Sequence, residues 1–432
     1  MIMKVCVIGL GYIGLPTATV LADSGHLVVG VDTNKETVDT VNRGMIHIAE
    51  PHLREKVAAA VRDGRLRASE VPEEADAFII AVPTPLAADR KADLSYVKSA
   101  AAEIVPCLRK GNLVILESTV PPRTTVDVLL PILGESGLVP GEDLLVAFCP
   151  ERVLPGKILE ELVNNNRVIG GINGKSAMAA AALYSTFVKG KLLQTDATTA
   201  EMTKLMENTY RDVNIALANE FAMVAEHAGV NVWEAIRFAN QHPRVNILQP
   251  GPGVGGHCIA VDPWFIVEKA AGKAHLIQTA RSVNGGMPRY VVEKIRQLTE
   301  GIAAPKIALL GLTYKANVDD CRESPALVIK KILEGLGLQA VAHDPLAKNV
   351  KTVSLRGALS QADLTVLLVN HEAFGSLDPE ELAGLVRRKV LLDTRGVVCR
   401  RLWEAAGFRV EVLGEGARPL FPDETGAEKK IS

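Results

Sequence analysis

A strand-like run that opens onto three spaced glycines limits the start of this chain to very few folds. Lys4 to Ile8 is apolar and of strand length, and the next residues read Gly-Leu-Gly-Tyr-Ile-Gly, with glycines at positions 9, 11 and 14. The first glycine permits a tight turn after the strand, and the last lets the following helix pack closely on the sheet. The sequence therefore predicts a strand–turn–helix unit of a parallel sheet.

Strand-length apolar runs alternate with helical patterns in two parts of the chain, which predicts parallel sheets with right-handed crossovers. The expected strands before residue 150 are Leu27 to Val31, Ala77 to Val82, Leu113 to Leu116 and Leu144 to Phe148, with a helix over Val97 to Leu108. Those after Pro305 are Ile307 to Leu310, Ala340 to Ala342, Leu364 to Val369 and Val390 to Leu392, with a helix over Glu323 to Leu336.

Between these parts lies a long stretch without proline or glycine, from about Ala197 to Ala228, with apolar residues at helical spacing. A helix of this length spans about 45 Å. That exceeds the needs of one small domain, so we expect it to connect two domains and to bury one side against a second subunit. At least a homodimer is the predicted assembly.

The fold class that follows is α/β: two Rossmann-like doubly wound domains joined by a long central helix in an all-α middle domain. The predicted boundaries are 1–195 for a dinucleotide-binding domain, 196–300 for the helical domain, and 301–415 for a second Rossmann-like domain. The residues from 416 to 432 are rich in Gly, Pro, Glu and Lys, and we expect a flexible tail there.

Composition and charge argue against several classes of protein. Hydrophobic residues make up 48% of the 432 residues, and a net charge of −2 gives no support to nucleic-acid binding. The six cysteines include no Cys-x-x-Cys pair and no histidine cluster beside them, so we expect neither a metal site nor disulfides. Free thiols, no signal-peptide pattern and no apolar run of membrane-spanning length together predict a cytoplasmic protein without membrane insertion.

The glycine fingerprint predicts NAD as cofactor. Gly11 leaves room for a pyrophosphate, and the helix that starts near Tyr12, Ile13 and Gly14 offers it amide groups and a positive dipole end. Asp32 ends the next strand, where a carboxylate binds ribose hydroxyls and repels the 2′-phosphate of NADP. Thr84 and Thr119 each follow an apolar strand and are candidates for the nicotinamide region, although capping a turn explains both equally well.

A cysteine in a glycine-dense turn, Gly255-Gly256-His257-Cys258, with Asp262 four residues on, suggests a thiol nucleophile. Taken alone, a cysteine after two glycines is more often structural. The long helix adds Lys204, Asn208 and Arg211 at i, i+4 and i+7, which lie on one face. A solvated charged stripe is the alternative explanation for that face, and the uncharged Asn208, a poor helix former, weighs against it.

With these motifs the chain resembles the nucleotide-sugar 6-dehydrogenases, the family of UDP-glucose and GDP-mannose dehydrogenases. The resemblance covers nearly the whole length. It includes Gly9-Leu10-Gly11-Tyr12-Ile13-Gly14, Glu117-Ser118-Thr119, Cys149-Pro150-Glu151-Arg152, Ala200-Glu201-Met202-Thr203-Lys204, Gly255-Gly256-His257-Cys258 and Arg322-Glu323-Ser324-Pro325-Ala326.

The resemblance implies oxidation of a primary alcohol at C6 of a nucleotide sugar to a carboxylate, with two NAD. In its terms Cys258 carries a thiohemiacetal and then a thioester, Lys204 stabilises the oxyanion, and Glu151 assists hydrolysis. It places Asn208 and Asp262 around the water and Thr119 between nicotinamide and water. The implied substrate-binding residues are Arg152, Val153, Lys204, Asn208, Arg211, His242, Arg244, Gly255, Tyr314, Lys315, Arg322 and Arg395.

Within the family, the chain is most similar to members that oxidise UDP-N-acetyl-D-mannosamine for surface polysaccharides. Pro155 and His257 stand where the UDP-glucose type has glutamate and serine, so UDP-glucose is disfavoured. UDP-N-acetylglucosamine and GDP-mannose are alternative substrates. A single-step hydroxyacid dehydrogenase, which needs no thiol, is an alternative reaction, and a non-catalytic NAD sensor is disfavoured because Lys204 and Cys258 are both present.

Overall fold

The computed structural model describes residues 2–154 and 156–416. These residues contain two β-sheets. The first sheet contains β1 Lys4–Ile8, β2 Leu27–Val31, β3 Leu66–Ser69, β4 Ala77–Ile80, β5 Leu113–Leu116, β6 Leu145–Phe148, β7 Arg167–Gly171 and β8 Leu192–Asp196. The second contains β9 Lys306–Leu310, β10 Gln339–His343, β11 Leu364–Leu367, β12 Val390–Asp393 and β13 Arg409–Val412.

The first sheet has the order β3-β2-β1-β4-β5-β6-β7-β8, and the chain reverses its direction of travel between β1 and β4. Such a switch point is where dinucleotides bind in open α/β sheets. Neighbouring strands are parallel except β6 and β7, which are antiparallel with Ala147 opposite Gly171 and Phe148 opposite Gly170. The strands expected from the sequence are parallel to one another, and the antiparallel pair involves β7, which was not among the strands predicted from the sequence.

Helices connect the strands and cover the sheets. Their bounds are α1 Gly14–Asp23, α2 Lys35–Asn42, α3 Leu53–Arg62, α4 Ser95–Ile104, α5 Leu130–Gly134, α6 Ile158–Asn164, α7 Gly174–Tyr184, α8 Ala197–Ala228, α9 Val232–Ala239, α10 Asp262–Lys269, α11 His275–Leu298, α12 Pro325–Gly335, α13 Leu355–Leu359, α14 Glu372–Gly375, α15 Pro379–Ala383 and α16 Arg400–Ala405. Short 3₁₀ and π segments cover Val105–Cys107 and Thr125–Leu129.

The first sheet is buried on both faces, as expected of a doubly wound domain. Successive residues of β1 enter different cores: Val5 and Val7 pack with Leu15 of α1, whereas Cys6 and Ile8 pack in the opposite layer with Ile104 of α4. Each layer removes its strand and helix residues from water, at roughly 25 cal/mol per Å² of apolar surface. The two layers make the carboxyl edge of the sheet a rigid platform for loops.

The second sheet is parallel throughout, with the order β10-β9-β11-β12-β13. Its layers also divide by alternation: Ile307 and Leu309 of β9 pack with Val291 of α11, and Ala308 packs with Trp403 of α16. The travel direction reverses between β9 and β11. The Rossmann-like class predicted for both α/β domains is confirmed.

Four helices, α8 to α11, occupy the middle of the chain, which confirms the predicted helical region. Helix α8 has 32 residues and the expected bounds. Glu201 fixes its beginning, since its carboxylate accepts hydrogen bonds from Thr125 N at 2.7 Å and Thr125 Oγ1 at 2.6 Å. Asp212 holds a later turn through a 2.6 Å ion pair with Arg281 of α11.

The described chain forms two compact units, one with residues up to Glu207 plus Trp264–Lys273, the other with Asn208–Pro263 and the residues from Ala274 onward. Of the tail predicted from residue 416, Gly416 donates its amide to Val230 O at 2.8 Å. Residues 417–432 lie outside the described part of the chain. In that described part, no helix is long and apolar enough to cross a membrane.

Candidate functional site

The three glycines of the fingerprint occupy positions with different structural requirements. Gly9 has φ +94°, and a side chain on Gly14 would place Cβ 1.7 Å from Gly9 O. Both are therefore required by the turn between β1 and α1. A Cβ on Gly11 would meet no protein atom within 4 Å, so the fold itself leaves that position open. This pattern fits a pyrophosphate approaching Gly11, with exposed Tyr12 and half-buried Ile13 beside it.

Asp32 lies beside the fingerprint, at the end of β2. Its Oδ2 accepts a hydrogen bond from Leu10 N at 3.0 Å and its Oδ1 accepts one from Asn34 N at 2.9 Å. An ionised carboxylate has about four acceptor positions, so these two bonds leave capacity for ribose hydroxyls. The geometry suits the adenosine end of NAD.

The loops after β4 and β5 meet at the same edge of the sheet. Thr84 Oγ1 donates a 2.5 Å hydrogen bond to Thr119 O, and Ser118 Oγ donates a 2.7 Å bond to Val82 O. The two threonines proposed for the nicotinamide region are thus brought together beside the switch point. The Thr84 hydroxyl holds the loop in place, which is the turn-stabilising role that the sequence also allowed.

The predicted polar face of α8 is partly buried. Asn208 is buried, Lys204 one turn earlier is half-buried, and Arg211 is exposed. Asn208 Nδ2 donates a 2.6 Å hydrogen bond to Asp262 Oδ2, and both side chains are at least nine-tenths buried. A solvated charged stripe therefore describes Arg211 but not Asn208.

Cys258 lies in the turn that leads into α10, and the helix start is tied to it because Asp262 N donates to Cys258 O at 2.8 Å. Asp262 is the first residue of α10, where a carboxylate is favoured by the helix dipole. The cysteine is half-buried. Its position at a helix start and its partial exposure suit a thiol that reacts with a ligand.

The glycines before Cys258 are explained by packing within the protein. A Cβ on Gly255 would lie 2.5 Å from Glu323 O, and one on Gly256 would lie 2.8 Å from Cε2 of Tyr314. Gly256 also has φ +83° and donates its amide to Arg322 O at 3.1 Å. These glycines therefore let the turn approach Tyr314 and its neighbours.

The segment after β6 is held by ion pairs. Glu151 Oε2 lies 2.7 Å from Arg167 Nη2, and Arg152 makes a two-pronged contact with Glu207 of α8 at 2.6 and 3.0 Å. Val153 packs its side chain against the apolar core of the first unit. Three residues predicted to serve hydrolysis and sugar binding are therefore adjacent, with their side chains engaged by the protein.

Glu50 fixes the end of the same segment. Its two carboxylate oxygens accept hydrogen bonds from Gly156 N at 2.8 Å and Ile158 N at 2.7 Å. Glu50 is buried, so both bonds are shielded from water. The segment that carries Glu151 and Arg152 is thus held at both ends.

Three predicted nucleotide-binding residues lie at the carboxyl edge of the second sheet: Tyr314 and Lys315 follow β9, and Arg395 follows β12. Burial and the neighbouring Arg211 guanidinium lower the pKa of Lys315. Burial, with Asp320 and Cys258 nearby, raises the pKa of Tyr314. The Arg211 charge is thus felt at Lys315, and a bound anion is favourable where two cations act on the same place.

The other residues of the second unit that were predicted to bind substrate either contact other protein groups or lie on an exposed turn. Arg322 donates to Asp320 through Nε at 3.0 Å and Nη2 at 2.6 Å, an exposed ion pair. Arg395 donates to Asn370 Oδ1 at 3.3 Å and approaches Gly251. His242 and Arg244 share an exposed turn after α9, where Arg244 N donates to His242 Nδ1 at 3.3 Å.

Models of one family match three consecutive parts of the chain. They are described as the NAD binding domain of the UDP-glucose/GDP-mannose dehydrogenase family over residues 3–188, its central domain over 198–285 and its UDP binding domain over 308–400. The chain belongs to the UDP-glucose/GDP-mannose dehydrogenase family. It is therefore an NAD-dependent nucleotide-sugar dehydrogenase, and the resemblance read from the motifs is confirmed.

Similar proteins of this family cover nearly the whole chain. The UDP-N-acetyl-D-mannosamine dehydrogenase of Methanocaldococcus jannaschii is 51% identical over 422 residues, 96% of this chain and 97% of the relative. The NDP-N-acetyl-D-galactosaminuronic acid dehydrogenase of Ralstonia nicotianae is 52% identical over 413 residues, 91% of this chain and 96% of the relative. A solved UDP-D-ManNAc dehydrogenase structure from Pyrococcus horikoshii matches with TM-score 0.91 and 42% identity, over 96% of this chain and 100% of the other.

Sequence reasoning missed several residues that hold the site of this dehydrogenase. Arg167 was not singled out, although a charged residue at the head of an otherwise apolar strand is a signal of a buried partner. Glu117 was quoted as part of a motif without a role. Glu50 and Asn370 carry no local signal, because their importance arises only from contacts distant in sequence.

Proposed function

We propose that this dehydrogenase oxidises C6 of UDP-N-acetyl-D-mannosamine to the carboxylate, giving UDP-N-acetyl-D-mannosaminuronate, in surface polysaccharide synthesis. The observation that carries the proposal is likeness over nearly the whole chain to proteins named UDP-N-acetyl-D-mannosamine dehydrogenase. The half-buried cysteine at the start of α10 and the open glycine at position 11 are the local features that agree with it.

The chemistry proposed for Cys258 follows from the need to remove two hydrides from one carbon. The alcohol loses a proton and a hydride to become an aldehyde, and Cys258 Sγ adds to the aldehyde carbon. The tetrahedral adduct still holds one hydrogen on carbon and one on its hydroxyl oxygen; loss of the first as hydride and of the second as a proton leaves a thioester. Two NAD, bound one after the other, would accept the two hydrides. Water then releases the acid and restores the thiol.

The other catalytic roles are also proposals. Lys204 stabilises the oxyanion and takes up the alcohol proton, and Glu151 serves the hydrolytic step. Asn208 and Asp262 orient water and charge, for which their 2.6 Å hydrogen bond gives fixed geometry. Thr119 serves both cofactor and water, with Gly9, Gly11, Tyr12, Ile13, Gly14, Asp32 and Thr84 as the further NAD ligands.

For the substrate we propose that Arg211, Tyr314, Lys315, Arg322 and Arg395 bind the nucleotide diphosphate. Lys315 and Arg211 are the best supported of these, because burial and the Arg211 charge lower the pKa of Lys315, which a bound diphosphate would offset. Arginine suits phosphate through two parallel hydrogen bonds. Arg152, Val153, His242, Arg244 and Gly255 complete the proposed substrate set, together with Lys204 and Asn208.

A second candidate is the activity stated in the name of the Ralstonia relative, NDP-N-acetyl-D-galactosaminuronic acid dehydrogenase, because its identity to this chain is of the same size. Turnover of UDP-N-acetylmannosamine, UDP-N-acetylgalactosamine, UDP-N-acetylglucosamine, UDP-glucose and GDP-mannose distinguishes the candidates. Preference for the mannosamine sugar, with two NADH formed per sugar, is the expected result. Preference for another epimer, or one NADH per sugar, would overturn the proposal.

We also propose domain boundaries at 1–195, 196–300 and 301–415, which the three family matches support. A homodimer or larger assembly through α8 is a further proposal. Its support is a stripe of exposed apolar side chains at helical spacing: Tyr210, Leu217, Phe221 and Val224. Sedimentation of the native protein tests it, with Leu217→Glu expected to lower the mass observed.

A further inference from the structure

A buried arginine lies between two buried carboxylates in the first unit. Arg167 Nη2 is 2.7 Å from Glu151 Oε2, and its Nη1 is 3.5 Å from Glu117 Oε1. The three side chains are 4%, 9% and 0% exposed, so water screens these charges little. One guanidinium thus serves two carboxylates that follow different strands, Glu117 after β5 and Glu151 after β6.

The antiparallel strand β7 explains how Arg167 reaches Glu151. The register pairs Phe148 with Gly170, and each step forward on β6 is one step back on β7. Extended by three residues beyond this pair, the same register would bring position 151 level with position 167, in agreement with the ion pair between the two side chains. A parallel β7 would have put its first residue at the other edge of the sheet.

The charge balance of this group is unequal. Two carboxylates face one guanidinium, and the other groups facing Glu117 are Tyr184 of α7, which donates to its Oε1 at 2.7 Å, and Thr17 of α1, which donates to its Oε2 at 3.4 Å. Cys149 Sγ lies 3.6 Å from Arg167 Nη1, and burial raises the pKa of this thiol to about 11, so it stays neutral.

The surplus carboxylate changes its protonation in the neutral range. Burial raises the pKa of Glu117 to about 7, against the opposing effect of Arg167. When Glu117 is protonated, the charge of Arg167 is directed to Glu151 alone. When Glu117 is ionised, the two carboxylates compete for the guanidinium, so Arg167 holds Glu151 less firmly.

We propose that Arg167 is a positioning residue that aims the Glu151 carboxylate for the hydrolytic step, and that Glu117, once ionised, competes for Arg167 and so slows that step. Arg152 N completes the fixation of Glu151 by donating to its Oε1 at 2.6 Å. The inference rests on the proposed function, in which Glu151 serves thioester hydrolysis.

In that step an ionised Glu151 accepts a proton from water as the water oxygen forms a bond to the thioester carbon. The carbon–sulfur bond breaks, and its electron pair leaves with Cys258 Sγ. The proton held by Glu151 then returns to solvent or to the thiolate. No electron acceptor is needed, because both oxidations precede hydrolysis. The rate of the step therefore depends on how firmly Arg167 aims the Glu151 carboxylate at the water.

The test compares variants that change the charges around Arg167. Glu117→Gln keeps the shape and stays uncharged, so the fall in rate that wild type shows as pH rises through about 7 should be absent. Tyr184→Phe removes a donor that favours ionised Glu117, so the fall should occur at a higher pH. Arg167→Gln removes the guanidinium that aims Glu151, so the rate should be lower at every pH and should show no such fall. Arg123→Gln, which loses an exposed ion pair with Asp127, is the control and should keep the wild-type profile.

The rate is read from single-turnover decay of the Cys258 thioester, followed by the mass of the acid-quenched protein, at each pH. Loss of the fall in Glu117→Gln and its displacement in Tyr184→Phe support the inference, because damage to folding would lower the rate at every pH. A wild-type pH profile in both of these variants would overturn it, even where Arg167→Gln fails to fold. If wild-type protein forms no thioester and one NADH per sugar, the proposed function fails instead, so the two failures are distinguishable.

Discussion

The side-chain amide of Asn208 donates a 2.6 Å hydrogen bond to Asp262 Oδ2, which joins a middle turn of α8 to the first residue of α10. The two residues are 54 positions apart in sequence, and both are buried. This bond fixes the orientation of a carboxylate four residues after Cys258. Proposed catalytic groups are thereby held before any ligand arrives, which is how electrostatic preorganisation acts.

Replacing Asn208 tests that role. Asn208→Ala should lower kcat by about 10²- to 10³-fold, because a fixed donor near developing charge is lost. Loss of a hydrogen bond to a buried carboxylate should also cost about 1–3 kcal/mol of unfolding free energy. Steady-state kinetics and thermal unfolding measure the two effects. Asn214→Ala on the same helix removes only a bond to Tyr210 O and serves as control. Wild-type kcat in Asn208→Ala would contradict the assignment.

Substitutions at two of the fingerprint glycines should have different effects, one on stability and the other on cofactor binding. A Cβ at Gly14 would lie 1.7 Å from Gly9 O, so Gly14→Ala should lower stability by about 1–3 kcal/mol or more. Gly11→Ala meets no protein atom within 4 Å and should keep the melting temperature, yet weaken NAD binding on the order of tenfold. Calorimetric titration with NAD and thermal melts measure both.

Gly134→Ala is the control for the glycine pair, since it also has open space and lies on α5, away from the fingerprint. It should leave NAD affinity unchanged. Equal NAD affinity in Gly11→Ala and wild type would remove Gly11 from the cofactor site.

We expect Lys315 to lower the stability of the ligand-free protein and to strengthen substrate binding. Burial and Arg211 lower the pKa of Lys315, so its charge is disfavoured in the ligand-free protein. Lys315→Met should therefore keep or raise the melting temperature, while KM for the UDP sugar rises roughly tenfold and kcat changes little. Lys331→Met on the exposed side of α12 is the matched control. A fall in stability with unchanged KM would assign Lys315 a structural role.

Glu117 should make stability depend on pH. Burial raises its folded-state pKa to about 7 from an ordinary 4.5. The contribution of Glu117 to the free energy of unfolding is therefore fully present below about pH 4.5 and is lost as pH rises through about 7. Glu117→Gln stays neutral and lacks this loss, so its melting temperature relative to wild type should rise by a few degrees between pH 5 and 8.

Differential scanning calorimetry across that pH range measures the effect. Glu135→Gln, an exposed substitution at the end of α5, provides the baseline and should show no such trend. A constant difference between Glu117→Gln and wild type would mean that Glu117 keeps one protonation state throughout.

Local pattern predicted much of the fold. Strands β1, β2 and β5 and helix α8 have the expected bounds, because apolar periodicity and the absence of Gly and Pro are properties of adjacent residues. Helix α11 is a counterexample: Gly285, Gly286 and Pro288 argue against a helix, yet it continues because Met287 and Val291 are buried in the core of the second unit. Tertiary packing outweighs local propensity there.

The sequence also placed many candidate residues at the ends of strands. Because the carboxyl ends of parallel strands share one edge, Thr84 could be expected near Thr119, and their hydrogen bond agrees. The partner of Glu151 could not be found this way. Strand β7 is short, and its residues do not indicate whether it pairs parallel or antiparallel with β6.

By itself, the sequence determined the family, the cofactor and the α/β class, since these depend on residue types at fixed spacing along the chain. The tertiary structure alone decided which charges meet. The antiparallel pairing of β6 and β7 places Arg167 opposite Glu151 and within reach of Glu117. The direction of a strand in a sheet is set by the packing of whole elements. The sequence spacing of Arg167, Glu151 and Glu117 therefore does not indicate that their side chains meet.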